Sequence, residues 1–189
     1  MSKNPVETRE IIAEGKFLKL VRDNGWEVAS RVGAGATRGV VAIIATTAND
    51  ELVLVRQFRV PVQAYVWDLP AGLVDSMAEH MHDAAARELL EETGYAGRSV
   101  TILTKTPTSP GLTDEMVTYL RIPGCQKVAK GGGIDNENIE TAVVRESRVM
   151  NFLGRAEVKG DLIDPKIYAA LWLMTREPVR EDRRLASRP

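Results

Sequence analysis

The stretch RELLEETGY, Arg87 to Tyr95, sets Glu88, Glu91 and Glu92 within little more than one helical turn. Like charges three and four residues apart repel and weaken a helix. The three carboxylates would share one face, leaving Ala85, Ala86 and Leu89 to pack elsewhere. Three hard oxygen donors on a rigid helix suit magnesium, or manganese, ions that keep several waters and bind substrate phosphates. The competing reading is a solvated helix face, which composition alone favours.

The flanks define the helix. Ser76 followed by Glu79 makes a capping box, so the helix is expected from about Met77 to Thr93, with Gly94 in its C-terminal cap. Upstream, YVWDLPAGLVD (Tyr65 to Asp75) reads as a short strand broken by Pro70 and Gly72, exposing backbone carbonyls beside the helix. Further back, VVAIIATTANDELVLVRQFRV (Val40 to Val60) reads as two buried strands turning at Asn49-Asp50. GKFLKLVRDNGWEVASRV (Gly15 to Val32) carries Asn24-Gly25 between alternating runs, a strong hairpin signal.

Downstream, strands are expected in Arg98–Thr108, Met116–Ile122 and Ile139–Val144, with turn-rich SPGLTDE (Ser109 to Glu115) between the first two. KGGGIDNEN (Lys130 to Asn138) reads as a flexible loop. A short helix follows near Ser147 to Ala156. Asp164-Pro165 then starts a last helix whose Ile167, Leu171 and Met174 mark one apolar face. This order implies an α/β (α+β) protein, a mixed central sheet sandwiched by helices with an N-terminal β-hairpin appendage. We divide it into a hairpin region at 1–36, a main domain at 37–176 and a charged tail at 177–189.

The bulk properties restrict the alternatives. A formal net charge of -1 over 189 residues gives no general attraction to nucleic acid or an anionic membrane. Cys125 is the only cysteine, which excludes an intrachain disulfide and a cysteine-rich zinc site. No run reaches the roughly 18 apolar residues of a membrane helix, and the N-terminus has no secretory pattern, so a cytoplasmic protein is expected. His80 and His82 would face apart on a helix and read as surface residues, not a metal pair.

GLVDSMAEHMHDAAARELLEETGY (Gly72 to Tyr95) resembles the Nudix box: a Gly, a spaced Glu, then Arg-Glu-apolar-any-Glu-Glu-any-Gly-apolar. Six residues separate Gly72 from Glu79, one more than the family pattern has, and the extra residue falls in the loop before the helix. The resemblance implies that Glu88, Glu91 and Glu92 coordinate divalent metal with the carbonyl of Ala71. It leaves Arg87 to orient the glutamates and Glu79 to cap the helix.

LVRQFR, WDLPAGLVD and SPGLTDE together resemble the ADP-ribose pyrophosphatase and nucleoside diphosphate sugar hydrolase branch, although Asp68 stands where that branch usually has Glu. The implied activity is magnesium-dependent hydrolysis of a diphosphate bond, giving a nucleoside monophosphate and a sugar phosphate. Arg56 and Arg59 would contact the diphosphate or terminal ribose, with more weight on Arg59. A GDP-mannose-type hydrolase and a non-catalytic Nudix-fold regulator are the alternatives. Cleaning of oxidised nucleoside triphosphates fits the hairpin and SPGLTDE poorly.

A general base is expected on a loop: Glu140, then Glu137, with Glu115 as a third candidate. The glycine run would let the later loop close as a lid. A two-residue turn puts Phe17 and Trp26 on one hairpin face but roughly 20 Å apart. By resemblance both clamp the nucleobase, flanked by Glu27 and Arg31, so they must come from two chains of a homodimer with exchanged hairpins.

Overall fold

Val41, Ile43 and Ala45 alternate with Ala42 and Ile44 along one strand, and all five are fully buried. Burial on both sides requires a covering layer on each face of the sheet. The computed structural model, which describes residues 9–33, 39–74, 76, 78–134 and 137–176, contains both layers.

The elements run β1 Arg9–Glu14, β2 Leu18–Asp23, β3 Trp26–Arg31, β4 Val40–Thr47, β5 Glu51–Arg59, β6 Ala64–Asp68, β7 Ala71–Leu73 and α1 Met81–Thr93. They continue with β8 Tyr95–Ala96, β9 Thr101–Pro107, β10 Met116–Lys127, β11 Glu140–Arg145, α2 Val149–Val158, β12 Leu162–Ile163 and α3 Pro165–Met174. β4 pairs parallel with β10 and β6 parallel with β12, while the other ladders are antiparallel. β4 and β5 share one rung, Thr46↔Leu52, so the sheet opens into two wings. One wing carries β7, β4, β10 and β9; the other carries β11, β5, β6 and β12.

α1 presses Ala84, Ala85 and Leu89 onto Val41, Ile43, Leu120 and Ile122. On the opposite face α2 and α3 bring Leu153, Ile167 and Leu173 to Ile44, Leu54 and Trp67. The expected α/β/α sandwich with a mixed sheet is therefore present. Each fully buried aliphatic side chain contributes about 1.5–3 kcal/mol against the chain entropy that opposes folding.

The hairpin turn forms as read. Asn24 and Gly25 take positive φ angles of 47° and 87°, Asp23 pairs with Trp26, and the Val32 amide donates to the Phe17 carbonyl at 2.9 Å. The appendage is larger than a hairpin, however, because β1 adds a third strand along β2. Its edge docks on the body: the Ala29 amide donates to the Leu112 carbonyl at 2.9 Å, and Arg9 pairs with Asp114 at 2.7 Å.

Two local expectations are corrected. Pro70 ends β6, but Gly72 lies inside β7, paired with Val41, rather than breaking a strand. The helix begins at Met81, with His80 as its N-cap, four residues later than expected. The Glu79 amide does donate to Ser76 Oγ at 3.1 Å, closing a turn before the helix. The Glu79 carboxylate does not complete a capping box, because Arg87 binds it at 3.0 Å, a stronger charge-assisted partner. The polar N-terminus at 1–8, most of the GAGATRG linker and the 177–189 tail lie outside the described residues.

Candidate active site

β7 and α1 build the acidic face between them. The Pro70 carbonyl accepts from the Ile43 amide at 2.8 Å, which makes Ala71↔Ala42 a non-hydrogen-bonded rung of the β4–β7 ladder. The backbone of Ala71 therefore points away from β4, and its amide donates to Glu92 Oε2 at 3.1 Å. Its carbonyl is left off the ladder on the same side. Gly72 follows because a Cβ there would lie 1.9 Å from the Glu88 carboxyl carbon.

Arg87 organises the other acids. Its Nη1 donates to Glu88 at 2.8 Å and to Glu91 at 3.2 Å, its Nε to Glu79, and its Nη2 to the Leu73 carbonyl at 3.1 Å. One guanidinium thus ties the strand to the helix and holds two box glutamates. Among the described residues, no three acidic, histidine or cysteine side chains already converge on a single metal position. Arg87 Nη1 bridges Glu88 and Glu91, while Glu92 takes the Ala71 amide instead.

Glu92 is 7% exposed, and burial pushes its pKa up to about 8. The Ala71 amide opposes that rise, while the charges of Glu88, Glu137 and Asp68 add to it. An ionised Glu92 is therefore costly until a cation arrives. Hard oxygen donors, a backbone carbonyl off the β4 ladder, a Cβ-free position at Gly72 and a buried carboxylate fit a magnesium-like ion. Gly72→Ala should displace Glu88 and weaken metal binding about tenfold or more, against ordinary folding, as titration of the metal-free protein with Mn2+ would read.

The glycines at the start of the loop that follows β10 anchor it to the end of α1. Gly131, Gly132 and Gly133 have φ angles of 71°, 109° and 82°, and a Cβ on Gly131 would lie 2.3 Å from the Thr93 carbonyl carbon. The Gly132 and Gly133 amides donate to the Glu92 and Glu91 carbonyls at 2.8 and 3.0 Å, satisfying the end of α1. The glycines buy close approach and left-handed backbone, not freedom. Lys127 adds its ammonium to the Thr93 and Lys130 carbonyls.

This clasp positions one candidate base. Glu137 Oε2 accepts from the Ile134 amide at 3.1 Å, and the Ile139 amide donates to the Gly132 carbonyl at 3.0 Å. Its carboxylate lies close enough to Glu92 to raise that group's pKa. Glu140 stands at the start of β11 and accepts from Arg56 Nη1 at 2.9 Å. Glu115 is held by Arg31 Nε at 2.6 Å, so two residues assigned separate roles from the sequence form an ion pair.

Arg59 and Arg56 differ. Arg59 is half-exposed, and Asp68 lies 3.9 Å from its guanidinium. Asp68 is itself buried, with its pKa raised to about 6 by burial and opposed by Lys166 at 3.0 Å. Arg56 is gripped instead by Asp161 and stacked on Tyr65, with 3.9 Å from its guanidinium carbon to the ring centroid. Phe17 and Trp26 are 68% and 65% exposed, and Glu27 faces Arg22 at 3.4 Å. Trp26 lines a cavity of about 400 Å³ with Pro110, Gly111 and Asp114 of the SPGLTDE loop.

Lys166, Asp161 and Lys127 were not singled out from the sequence. Only Lys166 had a local signal, its place one residue into the Asp164-Pro165 helix start, where its amide donates to Asp164 at 2.8 Å. The other two act through long-range contacts.

The acidic face thus sits on a strand–loop–helix unit inside a two-winged α/β/α sandwich. The NUDIX domain model matches residues 36–128. An uncharacterised Nudix hydrolase of Schizosaccharomyces pombe is 32% identical over 152 residues, covering 75% of this chain and 73% of its own length. An ADP-ribose pyrophosphatase of Mycobacterium tuberculosis is 34% identical over 138 residues, covering 69% of this chain and 65% of that protein. A crystal structure of an ADP compounds hydrolase superposes with a TM-score of 0.69 at 20% identity, covering 92% of this chain and 95% of that one. The chain belongs to the Nudix family. Against three of the matched relatives the aligned region spans 42% to 65% of their own length.

Proposed function

We propose that this protein hydrolyses the diphosphate bond of ADP-ribose or a related nucleoside diphosphate sugar, with magnesium as its metal. The observation that carries the reading is the buried Glu92 carboxylate, hydrogen-bonded by the off-ladder Ala71 amide on the same helix face as Glu88 and Glu91. The Mycobacterium tuberculosis relative, named an ADP-ribose pyrophosphatase, supports the substrate class.

Glu88, Glu91, Glu92 and the Ala71 carbonyl would hold the metal, which supplies charge neutralisation for the diphosphate and activation of water. Arg59 would donate charge-assisted hydrogen bonds to diphosphate oxygens. Glu137 would take the proton of the attacking water as it adds to phosphorus and the bridging P–O bond breaks. ADP-ribose would then yield AMP and ribose 5-phosphate. Glu137 precedes Glu140 here because it sits at the acidic face, whereas Glu140 is bound to Arg56. A panel of nucleotide sugars with magnesium, scored by phosphomonoester released, tests the reading. Preference for GDP-mannose would favour the sugar alternative, and no turnover at all would favour a binding regulator.

The register of β2 and β3 places Phe17 and Trp26 on one face, six residue pairs apart, both largely exposed. One hairpin cannot close both rings on one base, so we propose a homodimer whose hairpins are exchanged, with Glu27 and Arg31 beside the base. Mixing Phe17→Ala and Trp26→Ala subunits should give heterodimers with one site intact and one lacking both rings. Activity should partly recover relative to either mutant homodimer, since each ring contributes roughly 1 kcal/mol or more of stacking. Exchange of subunits without recovery would sink the shared site.

A further inference from the structure

Asp161 stands in the turn between α2 and β12, outside the box and the flanking motifs. Its side chain is 11% exposed, and its amide is fixed by the Ala156 carbonyl at 3.1 Å. Oδ2 accepts from Arg56 Nε at 2.8 Å and from Trp67 Nε1 at 3.0 Å, while Oδ1 accepts from Arg56 Nη2 at 2.8 Å. Two parallel bonds of this kind fix the plane and direction of a guanidinium. Arg56 then has Nη1 aimed at Glu140 Oε1, 2.9 Å away.

The consequence reaches the loop. Glu140 is paired with Arg56 across the β5–β11 ladder and follows closely on Glu137 in the chain. The next β5 residue, Gln57, donates through Nε2 to the Glu137 carbonyl at 3.4 Å. The downstream end of the loop thus hangs from two consecutive β5 residues, as its upstream end hangs from α1 through Gly132 and Gly133. A carboxylate between two such anchors is placed by both.

We propose that Asp161 is a positioning residue for the hydrolysis, gripping Arg56 so that Arg56 and Glu140 fix the downstream anchor of the Glu137 loop. Arg56 is then a brace rather than a diphosphate contact. The proposal rests on the reading of Glu137 as proton acceptor. Lysine cannot replace Arg56 in this role, because an ammonium lacks the planar fork that reaches Asp161 twice and Glu140 once.

The test uses the full chain with Asp161→Ala, Asp161→Asn and Arg56→Lys. Turnover of ADP-ribose with magnesium is measured beside Mn2+ affinity of the substrate-free protein and hydrogen exchange at the Glu137 and Ile139 amides. Asp161→Ala and Arg56→Lys should each lower kcat about tenfold or more, with KM within about threefold and Mn2+ affinity unchanged. Exchange at both amides should quicken, and the double variant should be little worse than the worse single one. Asp161→Asn, whose single carbonyl oxygen meets only part of the three donors from Arg56 and Trp67 while its amide N–H faces another, should also lower kcat. If Asp161→Ala does not fold, Arg56→Lys carries the same expectation. A lower melting temperature with unchanged kcat overturns the proposal, and so does a rise in KM alone. Unchanged exchange shows that the brace fails, whereas an active Glu137→Gln enzyme shows that the proton-acceptor reading fails.

Discussion

Glu92→Gln should abolish magnesium-dependent turnover while leaving a folded and, without metal, more stable protein. The two effects have one cause. Glu92 is buried, its pKa is pushed up to about 8, and its neighbours Glu88, Glu137 and Asp68 add negative charge. In the unfolded chain the group titrates near 4.5, so the native state holds the proton more tightly between those values. Metal-free stability from this group is therefore full below about pH 4.5 and falls as pH rises toward 8. The loss is roughly 1.4 kcal/mol for each pH unit crossed between the two values. Glutamine carries no such slope and can still accept from the Ala71 amide. Metal reverses the trend in wild type, because ligation requires the ionised group. Thermal melts across that same pH range, with and without magnesium, should show wild type gaining from metal far more than the variant. Near-wild-type turnover in Glu92→Gln would remove the metal assignment altogether.

What the chain reveals in advance depends on the range of the interactions. Asn24-Gly25 and Asp164-Pro165 act within a few residues, and both formed where their local chemistry demanded. The double-sided burial of β4 was legible because five successive apolar residues need no knowledge of their partners. The box glutamates were legible as a cluster, since anionic charge at helical spacing calls for an explanation by itself. β1 was not, because REIIAE is short and wholly exposed, and its strand state depends on β2. β8 and β12, two residues each, likewise exist only as partners of β10 and β6.

Around the acidic face, distant partners shaped three local readings. Glu79 had a sound local role as a cap, and Arg87 took it from eight residues away. The glycine run had a sound local reading as slack, but contact with Thr93 and Gly94 makes those positions need glycine for closeness. Arg56 was read as a contact to diphosphate or terminal ribose, with no local sign that Asp161, 105 residues further along, would grip it. Local chemistry was read correctly in each case; a stronger distant partner then decided the outcome.

Glu137→Gln should lower kcat far more than it weakens substrate binding, on the order of 10²–10⁴-fold for loss of a general base. Glutamine preserves the hydrogen bond from the Ile134 amide, so the loop should keep its shape and only the proton acceptor is lost. Glu140→Gln should be milder, because it weakens one of several ties on Arg56 and leaves Glu137 in place. Glu115→Gln should act mainly through Arg31 and therefore on KM, if Arg31 flanks the base. The three variants separate the roles by which constant moves, with single-turnover rates showing whether chemistry is the step affected. If Glu140→Gln is nearly inactive while Glu137→Gln turns over normally, the base lies on β11 and the brace from Arg56 holds the catalytic group itself. The proposed metal site argues against that outcome: a base must reach water beside it, and Glu137 is a loop carboxylate whose charge already acts on Glu92.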